Sequence, residues 1–266
     1  MYDRFNRRIN YLRISITDRC NLRCKYCMPD GGINLLKHED ILSFEEIVAF
    51  VKIAVGKGIN KVRITGGEPL VRKGVIGLIG MLSQIKGIKD LTLTTNGILL
   101  EEFAKPLADS GLHRVNVSLD TVDPDKFYDI TRGGNIKKVI NGIAAAQKAG
   151  LTPVKINCVM NESSEDTDAI EVKAYCKSQG LEVRFIQCMN LETGKFAVIE
   201  GGTGGNCSVC NKLRLSSNGM LRPCLFNDAA FNVRKLGADK AIEMALAAKP
   251  ESGTVSFQNK FNEIGG

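Results

Sequence analysis

Six short runs of strand-forming residues, Leu12 to Thr17, Lys61 to Thr65, Leu91 to Asn96, Arg114 to Asp120, Val154 to Met160 and Val183 to Met189, alternate with stretches of helical period. Few folds accommodate such a rhythm. Strands kept apart by helices cannot pair as hairpins, so they join a parallel sheet through right-handed crossovers. The helical pattern is plain in Phe44 to Val55, where Ile47, Val48, Val51 and Val55 share a face, and in Ile136 to Lys148.

A parallel strand covered by helices on both faces reads as a nearly unbroken apolar run, and these strands do not. Leu12, Ile14 and Ile16 alternate with Arg13, Ser15 and Thr17. The same alternation puts Arg63 and Thr65, Thr92, Thr94 and Asn96, Asn116, Ser118 and Asp120, and Lys155 and Asn157 on one face of their strands. If the apolar face meets the helices, the polar face lines the inside of a curved sheet. Arg13, Arg63 and Lys155 are costly there without anionic partners. The expected fold is therefore α/β, an open or partial barrel whose interior takes a polar, negatively charged ligand.

After Met189 the rhythm stops. A Gly-rich stretch, Glu200 to Gly205, is followed by Leu213 to Phe226, in which Asn218-Gly219 separates two β-like runs as in a hairpin. A helical pattern near Ala238 to Ala248 follows. Residues 1–190 are thus expected to form the barrel and residues 191–266 a small second module.

Composition narrows the function. Lys and Arg number 36 against 29 Asp and Glu, a net charge of +7, but they are scattered, and aromatic residues make up 6% with no Trp. A nucleic-acid surface needs a basic stripe or stacking rings, so a small anionic ligand fits better. No apolar run approaches the roughly 18 residues of a membrane span, and MYDRFNRRIN lacks the apolar stretch of a secretory signal. A cytoplasmic protein, without membrane or nucleic-acid partners, is the expectation.

Nine cysteines are many for a reducing compartment. Six fall into two groups, Cys20/Cys24/Cys27 and Cys207/Cys210/Cys224, which favours metal ligation over disulfides. Cys158 and Cys176 read as core residues. Three thiols within eight residues directly after the first strand let one loop hold three corners of an iron–sulfur cube and leave the fourth iron open to a ligand. The competing reading is zinc completed by a distant His38 or His113. After the second strand comes Gly66-Gly67-Glu68-Pro69, where glycines let backbone approach a ligand and Glu68 can pair with an ammonium.

The CxxxCxxC of Cys20, Cys24 and Cys27, with Tyr26 before the last cysteine, and the Gly66-Gly67-Glu68-Pro69 segment resemble the radical S-adenosylmethionine (SAM) superfamily. The segments LRISITDRCNLRCKYCMP, VRITGGEPLVRK, LTLTTNG, RVNVSLD, CSVCNKLRLSSNGMLRPCLF and the terminal IGG are similar to those of the GTP 3',8-cyclase family (molybdenum cofactor biosynthesis protein A). This resemblance implies an incomplete (β/α)6 TIM-like barrel with a small C-terminal iron–sulfur module. It further implies a lyase that uses SAM and two 4Fe-4S clusters, one on Cys20, Cys24 and Cys27 and one on Cys207, Cys210 and Cys224. By the same resemblance Tyr26, Gly67, Glu68, Ser118 and Met189 touch SAM. Arg13, Arg63, Thr94, Lys155, Lys212, Leu213 and Arg214 surround GTP, with Arg13 also catalytic. The implied reaction opens molybdenum cofactor biosynthesis: a 5'-deoxyadenosyl radical takes the 3' hydrogen of GTP and the ribose joins C8, giving 3',8-cyclo-7,8-dihydro-GTP. Its implied partners are a reductant such as flavodoxin or ferredoxin and the cyclic pyranopterin monophosphate synthase that receives the product. It allows a homodimer and makes Gly265-Gly266 a tail that threads toward the site. The chain departs from the family in the 17 residues between Met189 and Cys207, a shorter connection, and in Gln187 and Lys212, which stand where Glu and Arg are usual. These departures leave an alternative, a shortened radical SAM paralogue acting on another nucleotide or a peptide.

Overall fold

The strands end earlier than the strand-forming runs that contain them. In the computed structural model, which describes every residue except 30, 161, 162, 260, 265 and 266, β1 is Tyr11–Ser15, β2 Lys61–Thr65, β3 Asp90–Thr95, β4 Arg114–Ser118, β5 Lys155–Met160 and β6 Glu182–Gln187. The residues beyond the C-terminal ends of several strands, Thr17, Asn96, Asp120 and Met189 among them, leave the ladder and become loop. In open α/β folds that edge is where ligands bind. β7 is Lys212–Leu215, β8 Met220–Arg222 and β9 Phe231–Asn232. Among the described residues the strands form one sheet in the order β6-β5-β4-β3-β2-β1-β7-β8-β9. β1 to β7 pair in parallel, and β8 and β9 are antiparallel.

Helices α1 (Phe44–Gly56), α2 (Val75–Ser83), α3 (Leu100–Asp109), α4 (Pro124–Thr131), α5 (Ile136–Lys148) and α6 (Thr167–Ser178) fill the crossovers, and α7 (Val233–Leu236), α8 (Ala238–Ala247) and α9 (Phe261–Ile264) follow the last strand. Their starts are written locally. Ser43 Oγ accepts from Glu46 N at 3.1 Å while a Glu46 carboxylate oxygen accepts from Ser43 N at 2.7 Å, a capping box that begins α1. The apolar halves of the strands, such as Leu12, Ile14, Val62, Ile64, Leu91 and Leu93, pack with the helices in one main core.

That core also contains Leu213, Leu215, Leu221, Ala241, Ile242 and Ala245. The segment after residue 190 therefore extends the barrel sheet and shares its core; a smaller cluster of Leu191, Leu225, Phe226 and Ile264 is its own. The expected hairpin at Asn218-Gly219 is present, with Arg214 opposite Arg222 and Leu215 opposite Leu221. Among the described residues no helix is long and apolar enough to cross a membrane.

Candidate active site

Loops from the C-terminal ends of the strands enclose a cavity lined by Cys20, Cys24, Cys27, Tyr26, Gly66, Gly67, Asn96, Ser118, Asp120 and Met189, among others. The double glycine is required by chain packing. A Cβ on Gly66 would lie 2.7 Å from Thr17 O, and one on Gly67 would run into the Arg19 carbonyl, so only glycine lets this turn lie against the cysteine loop. Glu68 follows, fully buried, but its carboxylate is not on the cavity wall. It accepts from Leu70 N at 3.0 Å, Thr95 Oγ1 at 2.9 Å and Asn96 N at 2.7 Å. Asn96 in turn donates to Asn21 Oδ1 at 2.8 Å and to Cys20 Sγ at 3.7 Å. Glu68 is thus a tie between the glycine turn, the end of β3 and the cysteine loop. Burial pushes its pKa up to about 7.

The three thiols suit an iron–sulfur cluster. Burial raises the pKa of Cys20, and burial together with Asp120 and the neighbouring thiols pushes Cys24 up to about 12 and Cys27 higher still. Three thiolates so close together need positive charge, which ligated iron supplies. Among the described residues no three His, Cys, Asp or Glu side chains converge as a single ion requires; a cluster instead takes each thiolate on its own iron. Tyr26 donates its hydroxyl to Asp120 at 2.8 Å, and burial lifts Asp120 to about 6.

A second cavity adjoins the first, with Asn157, Ile186 and Met189 forming a common wall. Its floor is a row of cations set by strand register. Arg13 lies between Arg214 and Arg63, and the row continues through Thr92 to Arg114. Among the described residues, seven Lys or Arg and one carboxylate, Asp90, line this cavity. Asp90 is held by Arg114 at 3.1 and 2.6 Å. Burial first, then repulsion from Arg214 and Arg63, pulls Arg13 down to about 9, and burial with Arg214, Arg13 and Arg63 pulls Lys212 down to about 8. Tyr11 offers its ring to Arg63 and Lys212 at 5.6 and 5.9 Å. Such a concentration of buried positive charge is matched by a polyanion.

Cys207, Cys210 and Cys224 line the same cavity. A short helical turn, Cys207–Val209, carries the first two, and the hairpin brings Cys224 back beside them, since the β7–β8 register continued by two residues sets Cys224 level with Lys212. Burial raises Cys210 but Lys249 and Lys212 more than offset it, so its pKa falls; burial raises that of Cys224. The connection after Met189, short as it is, lines the cavity with Phe196, Ala197, Ile199 and Gly202 to Gly205 and bridges the β6 edge through Phe185 and Glu200.

Most expected site residues fall on these walls. Tyr26, Gly67, Ser118 and Met189 line the first cavity, and Arg13, Arg63, Lys212 and Arg214 the second. Thr94 lies on the first cavity, not the second. Lys155 does not face the arginine row: Glu182, opposite it on β6, takes its ammonium. Leu213 points into the main core, opposite in sense to Lys212 and Arg214, so its side chain is no part of the site. Gly265 and Gly266 lie outside the described residues. Arg114, Arg184 and Tyr11 line the second cavity unforeseen, although Arg114 and Tyr11 stand on faces that alternation already marked. Cys158 and Cys176 are core residues, as expected.

Residues 14–173 match the Radical SAM superfamily, so the chain is by class a radical SAM protein. The crystal structure of Streptococcus suis SuiB bound to S-adenosylmethionine shares the fold at TM-score 0.66 and 18% identity, over 90% of this chain and 68% of that one. Methylornithine synthase does so at TM-score 0.58 and 17% identity, over 76% and 61%. Within the superfamily the chain belongs to the GTP 3',8-cyclase family. It is 43% identical over 282 residues to the GTP 3',8-cyclase of Thermodesulfovibrio yellowstonii, covering 89% of this chain and 88% of the relative. To that of Moorella thermoacetica it is 41% identical over 294 residues, covering 93% and 91%. With that of Alkaliphilus metalliredigens both chains align whole at 39% identity, over 323 positions against 266 residues here, so the relative carries segments this chain lacks.

Proposed function

We propose that this chain is a radical SAM GTP 3',8-cyclase, converting GTP to 3',8-cyclo-7,8-dihydro-GTP in the first step of molybdenum cofactor biosynthesis. One observation carries the reading: a cavity floored by Arg214, Arg13, Arg63 and Arg114 and edged by three thiols opens, across Asn157, Ile186 and Met189, onto a cavity edged by three others. Cys20, Cys24 and Cys27 hold the first 4Fe-4S cluster, and Cys207, Cys210 and Cys224 a second. When bound, the first cluster would supply the electron, and SAM the radical, that the cyclisation of GTP requires.

The chain's own part is to hold, orient and shield. Arg13, Arg63 and Arg214 grip the triphosphate, offering guanidinium forks that match phosphate oxygens, and Arg13, central in the row, is the candidate catalytic residue. Lys212 adds charge beside Cys210 and Cys224, which with Cys207 would hold the second cluster. Met189 and Ile186, on the wall the two cavities share, keep water from the junction. Glu68 acts at one remove, fixing the glycine turn and Asn96 against the cysteine loop. The segment from 196 to 205 closes the phosphate side. The electron comes from a reductant such as flavodoxin or ferredoxin, and the product passes to a cyclic pyranopterin monophosphate synthase.

The test is anaerobic reconstitution with iron and sulfide, incubation with SAM, dithionite and GTP, and separation of products by mass. 5'-Deoxyadenosine together with a cyclised GTP isomer supports the reading. 5'-Deoxyadenosine formed equally without GTP, and no new nucleotide, means the substrate is another.

A further inference from the structure

Lys249 is a fully buried lysine that the proposed reaction does not use. Its surroundings lie where the hairpin ladder stops: the last β7–β8 pair at that end is Arg214 with Arg222. The Lys212 and Pro223 carbonyls beyond that point would be left unbridged. The Lys249 ammonium fills the gap, donating to Lys212 O at 2.8 Å and Pro223 O at 2.6 Å. One of these carbonyls lies two residues after Cys210 and the other immediately before Cys224.

The third thiol is tied to the same segment. Arg7, itself buried, donates to Cys207 O at 2.8 Å, to Glu251 O at 2.7 Å and to Pro250 O at 2.6 Å, and pairs with Asp3 at 2.7 Å. Residues 249–251 are therefore where the backbones carrying all three cysteines meet. α8 delivers them there, ending just before Lys249.

We propose that Lys249 is a positioning residue of the second cluster: its ammonium bridges the two strand segments beyond the last ladder pair, fixes the separation of Cys210 from Cys224, and leaves a positive charge beside the cluster. This inference rests on the second-cluster reading above. Burying a charge among backbone carbonyls and thiols is expensive, and a cluster bearing thiolates is the anionic partner that offsets the cost. A nearby cation also favours the reduced, more negative cluster, so its loss lowers the reduction potential.

The experiment compares the reconstituted full-length wild type with K249M and K249R by iron content and by EPR-monitored redox titration. The part of the spectrum that responds to SAM reports the first cluster and the part that responds to GTP the second. Wild type should carry about eight irons per chain, two 4Fe-4S clusters. K249M should either drop to about four or keep its iron with the GTP-responsive signal at least tenfold harder to reduce, about 59 mV for a one-electron couple. K249R should restore both, and the SAM-responsive signal should not move. If K249M does not fold, K249Q, which keeps a donor but no charge, takes its place in the same titration. A role in folding alone would lower thermal stability and leave the potential unchanged, and that result overturns the proposal while the second cluster stands. A wild type with about four irons and no GTP-responsive signal overturns the second cluster and this inference with it.

Discussion

Replacing Arg63 by Met separates an anion site from an ordinary buried cation, because the two predict opposite signs. Arg63 is 8% exposed and stands next to Arg13 in register. Its pKa is lowered by burial first, then by Arg114 and Arg184. At a strand spacing of ~4.8 Å, two unit charges in a medium of effective dielectric 20 repel by about 3 kcal/mol. Against this, Arg63 donates to Thr92 Oγ1 at 3.2 Å and sits over the Tyr11 ring, worth together about 2 kcal/mol. The cluster-free R63M protein should thus be about 1 kcal/mol more stable in urea than wild type. In the reconstituted protein the same change removes charge-assisted bonds to phosphate, worth about 1.5–3 kcal/mol, so affinity for GTP or inorganic tripolyphosphate should fall ~10- to 100-fold by anaerobic calorimetry. A variant that loses stability yet binds tripolyphosphate as before would refute the reasoning, since Arg63 would then be an internally satisfied strand residue.

Three further outcomes are expected. Cys24→Ala should abolish SAM cleavage, read as 5'-deoxyadenosine by chromatography; cleavage that survives removes the first cluster from its place. Gly66→Ala sets a Cβ 2.7 Å from Thr17 O, and the parting of the two loops should cost about 1–3 kcal/mol and weaken SAM retention; an unchanged melting curve would show that the turn can shift freely. Burial raises Glu68 from the ordinary 4.5 to about 7, so between those values the folded chain holds the proton more tightly than the unfolded one, and this group makes stability fall as pH rises through that window, by about 3 kcal/mol in all. Glu68→Gln lacks that slope. Urea midpoints at pH 5 and pH 8 should therefore show wild type losing more than the variant on going alkaline, and a difference that does not vary with pH would contradict the burial argument.

The alternation of apolar and polar residues and the cysteine spacings are local patterns, and they were enough for the parallel sheet, its polar inner face, both thiol groups and the hairpin at Asn218-Gly219. They also marked Arg13 and Arg63, since period two assigns a strand residue to a face whatever its partners are. What period two cannot assign is the neighbour across the ladder. Only the register revealed that Arg214, Arg13, Arg63 and Arg114 share one row, and that Lys155 stands opposite Glu182, which takes it out of that row. The alternation that turns Lys212 and Arg214 inward turns the Leu213 side chain into the core. The closeness of β3 to the glycine turn, which no local pattern shows, is what gives the Glu68 carboxylate its partners Thr95 and Asn96. The roles of Lys249 and Arg7 at the second thiol group carry no sequence signal, as the partners they hold there are backbone carbonyls more than 25 residues away. A carbonyl has no residue identity, so contacts of that kind are decided by the tertiary structure alone.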